Sequence, residues 1–438
     1  MRGIDRLVVC AAIGLTAIAA VGQQTTVPAL QAPATLTLAQ AERIAIRNNP
    51  DVSVARLVAL AQGQEVREAR SAWMPTLTGN MTAVDAHQNT RITAGVLNNP
   101  SVYPRAAGGL SVSQLITDFG RTHNLVLSAR SEAQAHLERE RATKQDITLA
   151  VDQAFYQTLT AQAVLKVAQQ TVAERKITAE QVGALAKAKL RSNVDLSFAQ
   201  VQLSQAQLML LDARNQAQTA MAALNAVLGF EQDGQYTLVD QAAADLPLPP
   251  QDPEPLITQA FAARPDLAAA NDDVIAAQHY SKAERDLRMP TISALGALGE
   301  TPVRADQIQS PWYGAVGANI SVPIFNGFLF NAREREATLR AEAAQQQARS
   351  LRDTIARNVR TAVLNTQNAF ARIAATQQML KQSNMALDLS QRRYHLGLSS
   401  IVELTQAQLA QTQALIAESN ARYEYATALA VLRYQLGQ

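Results

Sequence analysis

The sequence predicts an α+β membrane protein with an internal duplication: a long α-helical coiled-coil barrel joined to a transmembrane β-barrel that three chains complete together, four strands per chain and twelve per trimer. Three observations carry this. The stretch 194–229 recurs, because a shift of 208 positions carries Val194 onto Val402, Asp195 onto Glu403, Leu196 onto Leu404, Ala199 onto Ala407, Ala220 onto Ala428, Leu224 onto Leu432 and Gly229 onto Gly437. Two tracts, 120–229 and 327–437, contain no proline and one internal glycine each, Gly183 and Gly397. Ahead of each tract the pattern changes to the short alternation of strands.

Within 194–229 the residues Leu196, Ala199, Leu203, Ala206, Leu210, Ala213, Ala217, Ala220, Leu224 and Val227 step by three and four without a break, the seam of a supercoiled helix. Alternating Leu with Ala lets two backbones approach closely. The second copy places Gln411, Glu418 and Gln435 on its seam, so it is expected to face water or another chain. Each proline-free tract reads as two helices joined near its glycine, the first of roughly 60 residues and about 90 Å long.

Residues 1–22 read as a secretory signal peptide: Arg2 and Arg6, an apolar run over 7–21, and small residues Ala20 and Gly22 before Gln23. The single cysteine, Cys10, lies inside that run, which predicts a mature chain without disulfides. Residues 23–36 form a flexible lead rich in Pro, Thr and Gln. The first repeat, 37–230, opens on Thr37 as a helix cap and breaks at Asn49-Pro50-Asp51; the second, 253–438, has Arg264-Pro265-Asp266 at a shift of 215. Between them 231–252 is a proline-rich connector with a short strand near Tyr236. Met74-Pro75-Thr76 and Met289-Pro290-Thr291 introduce the strand pairs, each interrupted by a loop, with Asn98, Asn99, Pro100 and Pro104 in the longer first one. Strands of roughly ten residues can cross a bilayer when tilted, whereas no stretch after residue 22 reaches the ~18 apolar residues of a spanning helix. Four strands cannot close a barrel, and an open edge in lipid leaves unpaired backbone groups, so three copies are expected.

The formal net charge of +2 and 17% charged residues exclude the concentrated basic face of a nucleic-acid binder. The five histidines, His87, His123, His136, His279 and His395, form no metal-binding spacing, and no phosphate loop or nucleophile elbow is present. These absences predict neither cofactor nor metal, and no enzyme. Trp312, Tyr313, Phe325, Phe328 and Phe330 suit either an interfacial aromatic belt or ordinary packing.

The Asn-Pro-Asp and Arg-Pro-Asp elements, Pro75 and Pro290, Ser113-Gln114-Leu115-Ile116, Ser321-Val322-Pro323-Ile324-Phe325-Asn326-Gly327, and Tyr394-His395-Leu396-Gly397-Leu398-Ser399, in this order and twice over, resemble the TolC family of outer-membrane efflux and secretion channels. The resemblance implies an exit duct in the cell outer membrane with a helical tunnel in the periplasm, a homotrimer in outer-membrane lipid, and two partners: a periplasmic adaptor (membrane fusion) protein and an inner-membrane RND or ABC pump. An exported coiled-coil adaptor or scaffold without a pore is the alternative. The resemblance also implies docking of the adaptor's helical hairpin at Leu396, Gly397, Leu398 and Ser399 and at Leu190 and Arg191. The first turn departs from the pattern, with Lys189 at the glycine position. A periplasmic gate is implied at Asp195, Tyr394, Glu403 and Gln406, with Asp195 linked to Tyr394. Ser399 stands where similar channels have an arginine, and Gln406 where they have a second carboxylate. Asp195 and Glu403 also suit helix caps.

Overall fold

The computed structural model describes residues 35–85, 91–94, 97–101, 105–230, 236–240, 247–303 and 310–438. The signal-peptide reading of residues 1–22, Cys10, His87, Pro104 and most of the flexible lead lie outside the described residues. In chain order the elements are β1 (Thr35–Leu36), α1 (Leu38–Asn48), α2 (Pro50–Ser71), β2 (Thr76–Val84), β3 (Arg91–Ala94), β4 (Leu97–Ser101), β5 (Arg105–Thr117), α3 (Arg121–Lys187) and α4 (Asn193–Leu228) in the first half. The second half has β6 (Thr237–Leu238), α5 (Glu254–Ala263), α6 (Pro265–Arg285), β7 (Thr291–Val303), β8 (Trp312–Ser321), α7 (Leu329–His395) and α8 (Ile401–Gln435).

Helices dominate. α3 and α7 have 67 residues each, about 100 Å at 1.5 Å per residue. Gly183 lies within α3 and the turn to α4 comes five residues later, near that glycine as expected; the helix runs through it because a single glycine costs only about 1 kcal/mol, and Leu196 packs within 3.5 Å of where its Cβ would be.

The strands β2, β5, β7 and β8 form one antiparallel sheet in that order. Its register puts Leu77 opposite Val112, Leu110 opposite Leu298, and Val112 and Val316 on either side of Gly296, so these side chains share one face with Met81, Trp312 and Ile320. The other face is mainly polar or small, with Thr76, Thr78, Asn80, Thr82, Ser111, Ser113, Ser293, Asn319 and Ser321, and includes Leu295 and Tyr313. Among the described residues nothing covers the apolar face: Met81 is 93% and Val316 92% exposed. A two-stranded antiparallel ladder, β3 with β4, occupies the stretch read as a plain loop, a correction whose signal was a few residues of weak alternation.

Each strand of the main sheet runs into a helix: β2 follows α2, β5 leads into α3, β7 follows α6 after a single 3-10 turn, and β8 leads into α7. The helices accordingly pack in the strand order, α2–α3–α6–α7, and farther along as α4–α3–α8–α7. The chain is therefore one open arc whose strand edges are β2 and β8 and whose helix edges are α2 and α4 on one side and α7 on the other. At the strand-to-helix junctions the backbone turns left-handed at Phe119-Gly120 and Gly327-Phe328.

Two cores flank the middle of the long helices. The first joins Leu36, Ala41, Ala45, Phe155, Leu224 and Tyr423; the second joins Ile257, Leu267, Ile355, Val359 and Leu432. Leu36 is fully buried, and β1 pairs in parallel with β6, so the flexible-lead expectation fails at its last two residues. The duplicated motifs do equivalent work. Asn49 Nδ2 donates to Val227 O at 3.3 Å and Arg264 Nη1 donates to Gln435 O at 3.4 Å, tying each proline break to the end of the seam helix. Gly229 and Gly437, both with positive φ, abut Asn48 and Ala263 so closely that a Cβ on Gly437 would meet backbone at 2.8 Å.

Candidate functional site: the paired helix turns

The helix ends away from the sheet bring α3, α4, α7 and α8 together around Ala179, Val182, Ala199, Leu387, Tyr394, Ile401 and Leu404. Two turns close this end, 188–192 between α3 and α4 and 396–400 between α7 and α8. Both end their first helix in the same way. Lys189 N donates to Ala186 O at 3.0 Å and Leu190 N to Leu185 O at 2.9 Å; Gly397 N donates to Tyr394 O at 3.0 Å and Leu398 N to Arg393 O at 2.8 Å. That pattern requires a left-handed residue. Gly397 supplies it with φ 74°, and Lys189 supplies it with φ 62° at a cost of about 1–2 kcal/mol for a non-glycine residue.

Of the residues expected to dock a partner, Leu190, Leu396, Gly397 and Leu398 are exposed, and Leu190 and Leu398 present 70% and 67% of their surface. Ser399 is half-buried, and its hydroxyl has no partner. Arg191 points inward. Its Nη2 donates to the Tyr394 carbonyl at 2.6 Å, and its guanidinium lies 4.3 Å over the Tyr394 ring, so it clasps the first turn to the end of α7.

Three of the four residues expected at a gate meet other groups. Asp195 closes a capping box, its carboxylate accepting from Ser192 N at 3.3 Å, and the Tyr394 hydroxyl is buried without a hydrogen bond. The implied Asp195–Tyr394 link is therefore not formed. The physical reason is competition: the carboxylate serves the first turn of α4, where the helix N-terminus favours it. Burial pushes the Tyr394 phenol up, the Arg191 cation pulls it down and Asp195 adds to the rise. Glu403 lies at the start of α8, with its N–H held by Ser400 Oγ at 3.3 Å and its carboxylate 3.4 Å from Arg393 Nε. Gln406 is exposed one turn on.

Sequence reasoning missed the polar ladder behind Tyr394. Gln408 Nε2 donates to Thr178 Oγ1 at 3.3 Å and Arg175 Nη2 to Thr412 Oγ1 at 3.5 Å, joining α8 to α3. Burial pushes the Arg175 guanidinium down. Beside the ladder a cavity of 270 Å³ is lined by Thr178, Leu185, Tyr394, Leu404 and Gln408. The available signal was the step of four between Gln408 and Thr412, which lies off the seam and marks a second covered face of α8. α8 is in fact held between α7 and α3, which corrects the expectation that it faces water or another chain. Gln408 Nε2 and Thr412 Oγ1 find partners across the interface, so a broken apolar rhythm does not mean exposure.

Among the described residues no helix is long and apolar enough to cross a membrane, and no group of three His, Cys, Asp or Glu could hold a metal ion. The arrangement positions two turns and a clasp between them.

Comparison with known proteins gives a consistent result. The model of the family described as "Outer membrane efflux protein" matches residues 43–230 and 256–438. The outer membrane efflux protein BepC of Brucella suis is 24% identical, over 86% of this chain and 80% of that protein. The alkaline protease secretion protein AprF of Pseudomonas aeruginosa is 24% identical, over 92% of this chain and 84% of that protein. In fold, the MtrE outer membrane channel of Neisseria gonorrhoeae in its open state superposes with a TM-score of 0.78 at 21% identity, covering 91% of this chain and 88% of that one.

Proposed function

This chain belongs to the outer membrane efflux protein family, and we propose that it is the outer-membrane exit duct of an efflux or secretion machine, a homotrimer whose twelve strands close a barrel and whose helices continue it as a tunnel. The observation that carries this reading is the sheet: strands of 9 to 13 residues, one face apolar and uncovered, the other lined mainly by Thr, Ser and Asn, with β2 and β8 left as open edges. An apolar face outward and a polar face inward is the pattern of a barrel in lipid. The continuous strand-to-helix order supports closure of sheet and helical arc by the same neighbours. A soluble adaptor or scaffold has no use for such a sheet.

The turns at the far end are the proposed periplasmic tip, where an adaptor seats on Leu396, Gly397, Leu398 and Ser399 and on Leu190 and Arg191, and behind which an RND or ABC pump delivers cargo. The same end is the proposed gate. In this protein the Arg191–Tyr394 clasp holds the turns together, Asp195 stiffens the start of α4, and one Glu403 per chain with the neutral Gln406 lines the constriction. A carboxylate ring biases a pore toward cations.

Two measurements test the reading. The detergent-solubilised protein should have the mass of three chains and conduct in planar bilayers. In the same bilayers Arg191→Ala should raise single-channel conductance and Glu403→Gln should lower cation preference. A stable monomer that forms no conducting unit removes the duct; wild-type conductance and selectivity in both variants remove the gate while leaving the duct.

A further inference from the structure

The two tip turns share backbone geometry and differ in chemistry. At the left-handed position the second repeat has Gly397, where nothing stands within 4 Å of an added Cβ. The first repeat has Lys189, a residue that geometry alone disfavours there. The backbone of Lys189 closes the helix end, but its side chain holds nothing there. It is exposed, and neither it nor the exposed Lys187 forms an ion pair among the described residues. Arg191, the third cation of this turn, is spent on Tyr394, and the nearby acid Asp195 on the α4 cap. At the second turn the charges are matched, Arg392 with Asp388 and Arg393 with Glu403, and what projects is Leu396 and Leu398. The first turn thus offers unpaired positive charge beside one exposed apolar residue, Leu190, and the second offers two, Leu396 and Leu398, with its charges matched.

We propose that the first turn recognises an acidic side chain at the end of the adaptor's helical hairpin, with Lys189 as its direct partner and Lys187 adding to the field, while the second turn takes the hairpin's apolar residues on Leu396 and Leu398. This rests on the reading that an adaptor docks at these turns. An exposed cation held on a rigid, left-handed turn acts mainly on encounter rate and register, so the contact weakens as salt screens it. The two turns of one subunit are then unlike seats, and the adaptor's acidic position sets which hairpin fits the first.

The test uses full-length protein in detergent and the purified periplasmic adaptor of the same host, with binding followed at low and at physiological salt. Lys189→Glu should weaken binding by about tenfold or more at low salt and flatten its salt dependence. Lys189→Gly should also bind more weakly, yet melt no lower than wild type, because it relieves the strained position. An adaptor whose acidic hairpin-end residues are changed to lysine should regain affinity for Lys189→Glu. Leu398→Asp separates the two claims. If it abolishes binding while both Lys189 variants bind within twofold of wild type, docking stands and the acidic contact is wrong. If Leu398→Asp also binds as wild type does, docking at these turns is wrong. Equal loss in Lys189→Glu for native and charge-swapped adaptor also overturns the pairing.

Discussion

The two seam helices, α4 and α8, descend from one sequence and sit in unlike places. α4 keeps the unbroken Leu/Ala rhythm and lies at the edge of the arc, touching chiefly α3, with Ala199, Ala206, Ala213 and Ala220 buried at every seventh position. α8 has polar residues on that rhythm and yet is enclosed by α7 and α3. The difference teaches that heptad regularity reports one good partner, not the number of partners. A helix with two neighbours distributes its buried positions over two stripes, and some of them are Gln408 and Thr412. α4 carries its surplus outward instead, as exposed Val194, Phe198, Val201, Leu208 and Leu211. Of the matching positions in α8, only Val402 and Leu409 are exposed large apolar residues.

That outward stripe gives the largest expected effect. If α4 meets α7 of a neighbouring subunit, Val201→Glu with Leu208→Glu puts a charge pair into a closed interface, and assembly should be lost while helical content persists. Light scattering in detergent should then report one chain in place of three. An unchanged assembly would mean that the stripe faces something other than a second copy. Leu404→Glu in the enclosed α8 should fail differently, by loss of the folded tip itself, since Leu404 is buried against both neighbours.

The repeats also differ at one buried charge. Asp152 on α3 corresponds to Arg360 on α7, which is exposed and paired with Glu254 at 2.9 Å. Asp152 is buried beside Arg433 at 3.9 Å, with its Oδ1 unpartnered. Burial raises its carboxyl to about 7, with the neighbouring Glu42 adding to the rise and Arg433 opposing it. A carboxyl whose folded pKa lies above its unfolded value binds protons more tightly when folded. Stability therefore falls as pH rises from about 4 to about 7 and stays low above that. Asp152→Asn should remove this dependence, so the variant should match wild type near pH 4 and exceed it by up to about 4 kcal/mol at pH 8. Denaturation at the two pH values reads it directly. Arg360→Gln, its counterpart in the second repeat, should shift stability by about 0.5 kcal/mol or less at either pH, as an exposed pair.

Much of this molecule is legible in its sequence because duplication exposes what each half needs. Pro50 and Pro265 break helices, and Gly229 and Gly437 end them, for reasons that one copy alone would leave ambiguous. What stays hidden is decided by partners distant in sequence. Thr35 and Leu36 read as part of a flexible lead because their strand partner lies some 200 residues on. Asp195 reads as gate and as cap, since a carboxylate in the first turn of a helix suits both; the capping box with Ser192 becomes visible only in the structure. The role of Arg191 was invisible because its partners are the ring and carbonyl of Tyr394, on another helix pair. Lys189 could be matched to Gly397 by position, but its left-handed backbone could not be read from a residue type that avoids that region.

The smallest expected effect tests whether the two repeats are equally tight. Thr158 is fully buried on α3 and its hydroxyl lies 2.7 Å from Ala154 O on its own helix and 3.1 Å from Ala220 O on α4. Thr366 repeats this on α7, 2.7 Å from Ala362 O and 3.4 Å from Ala428 O on α8. One hydroxyl proton is shared between two carbonyls, so the cross-helix bond is partial and its worth falls with distance. Valine has nearly the same shape and cannot donate. Thr158→Val should therefore cost about 1 kcal/mol, and Thr366→Val a few tenths less, after the gain from the added apolar methyl. Serine at either site keeps the bond and loses the methyl, so it separates hydrogen bonding from packing. With no partner in common, the two valine changes should add when combined. Denaturant midpoints of the single and double variants give the ordering, and a larger loss at Thr366 would mean that the second repeat is bracketed by that hydroxyl more tightly than its distances indicate.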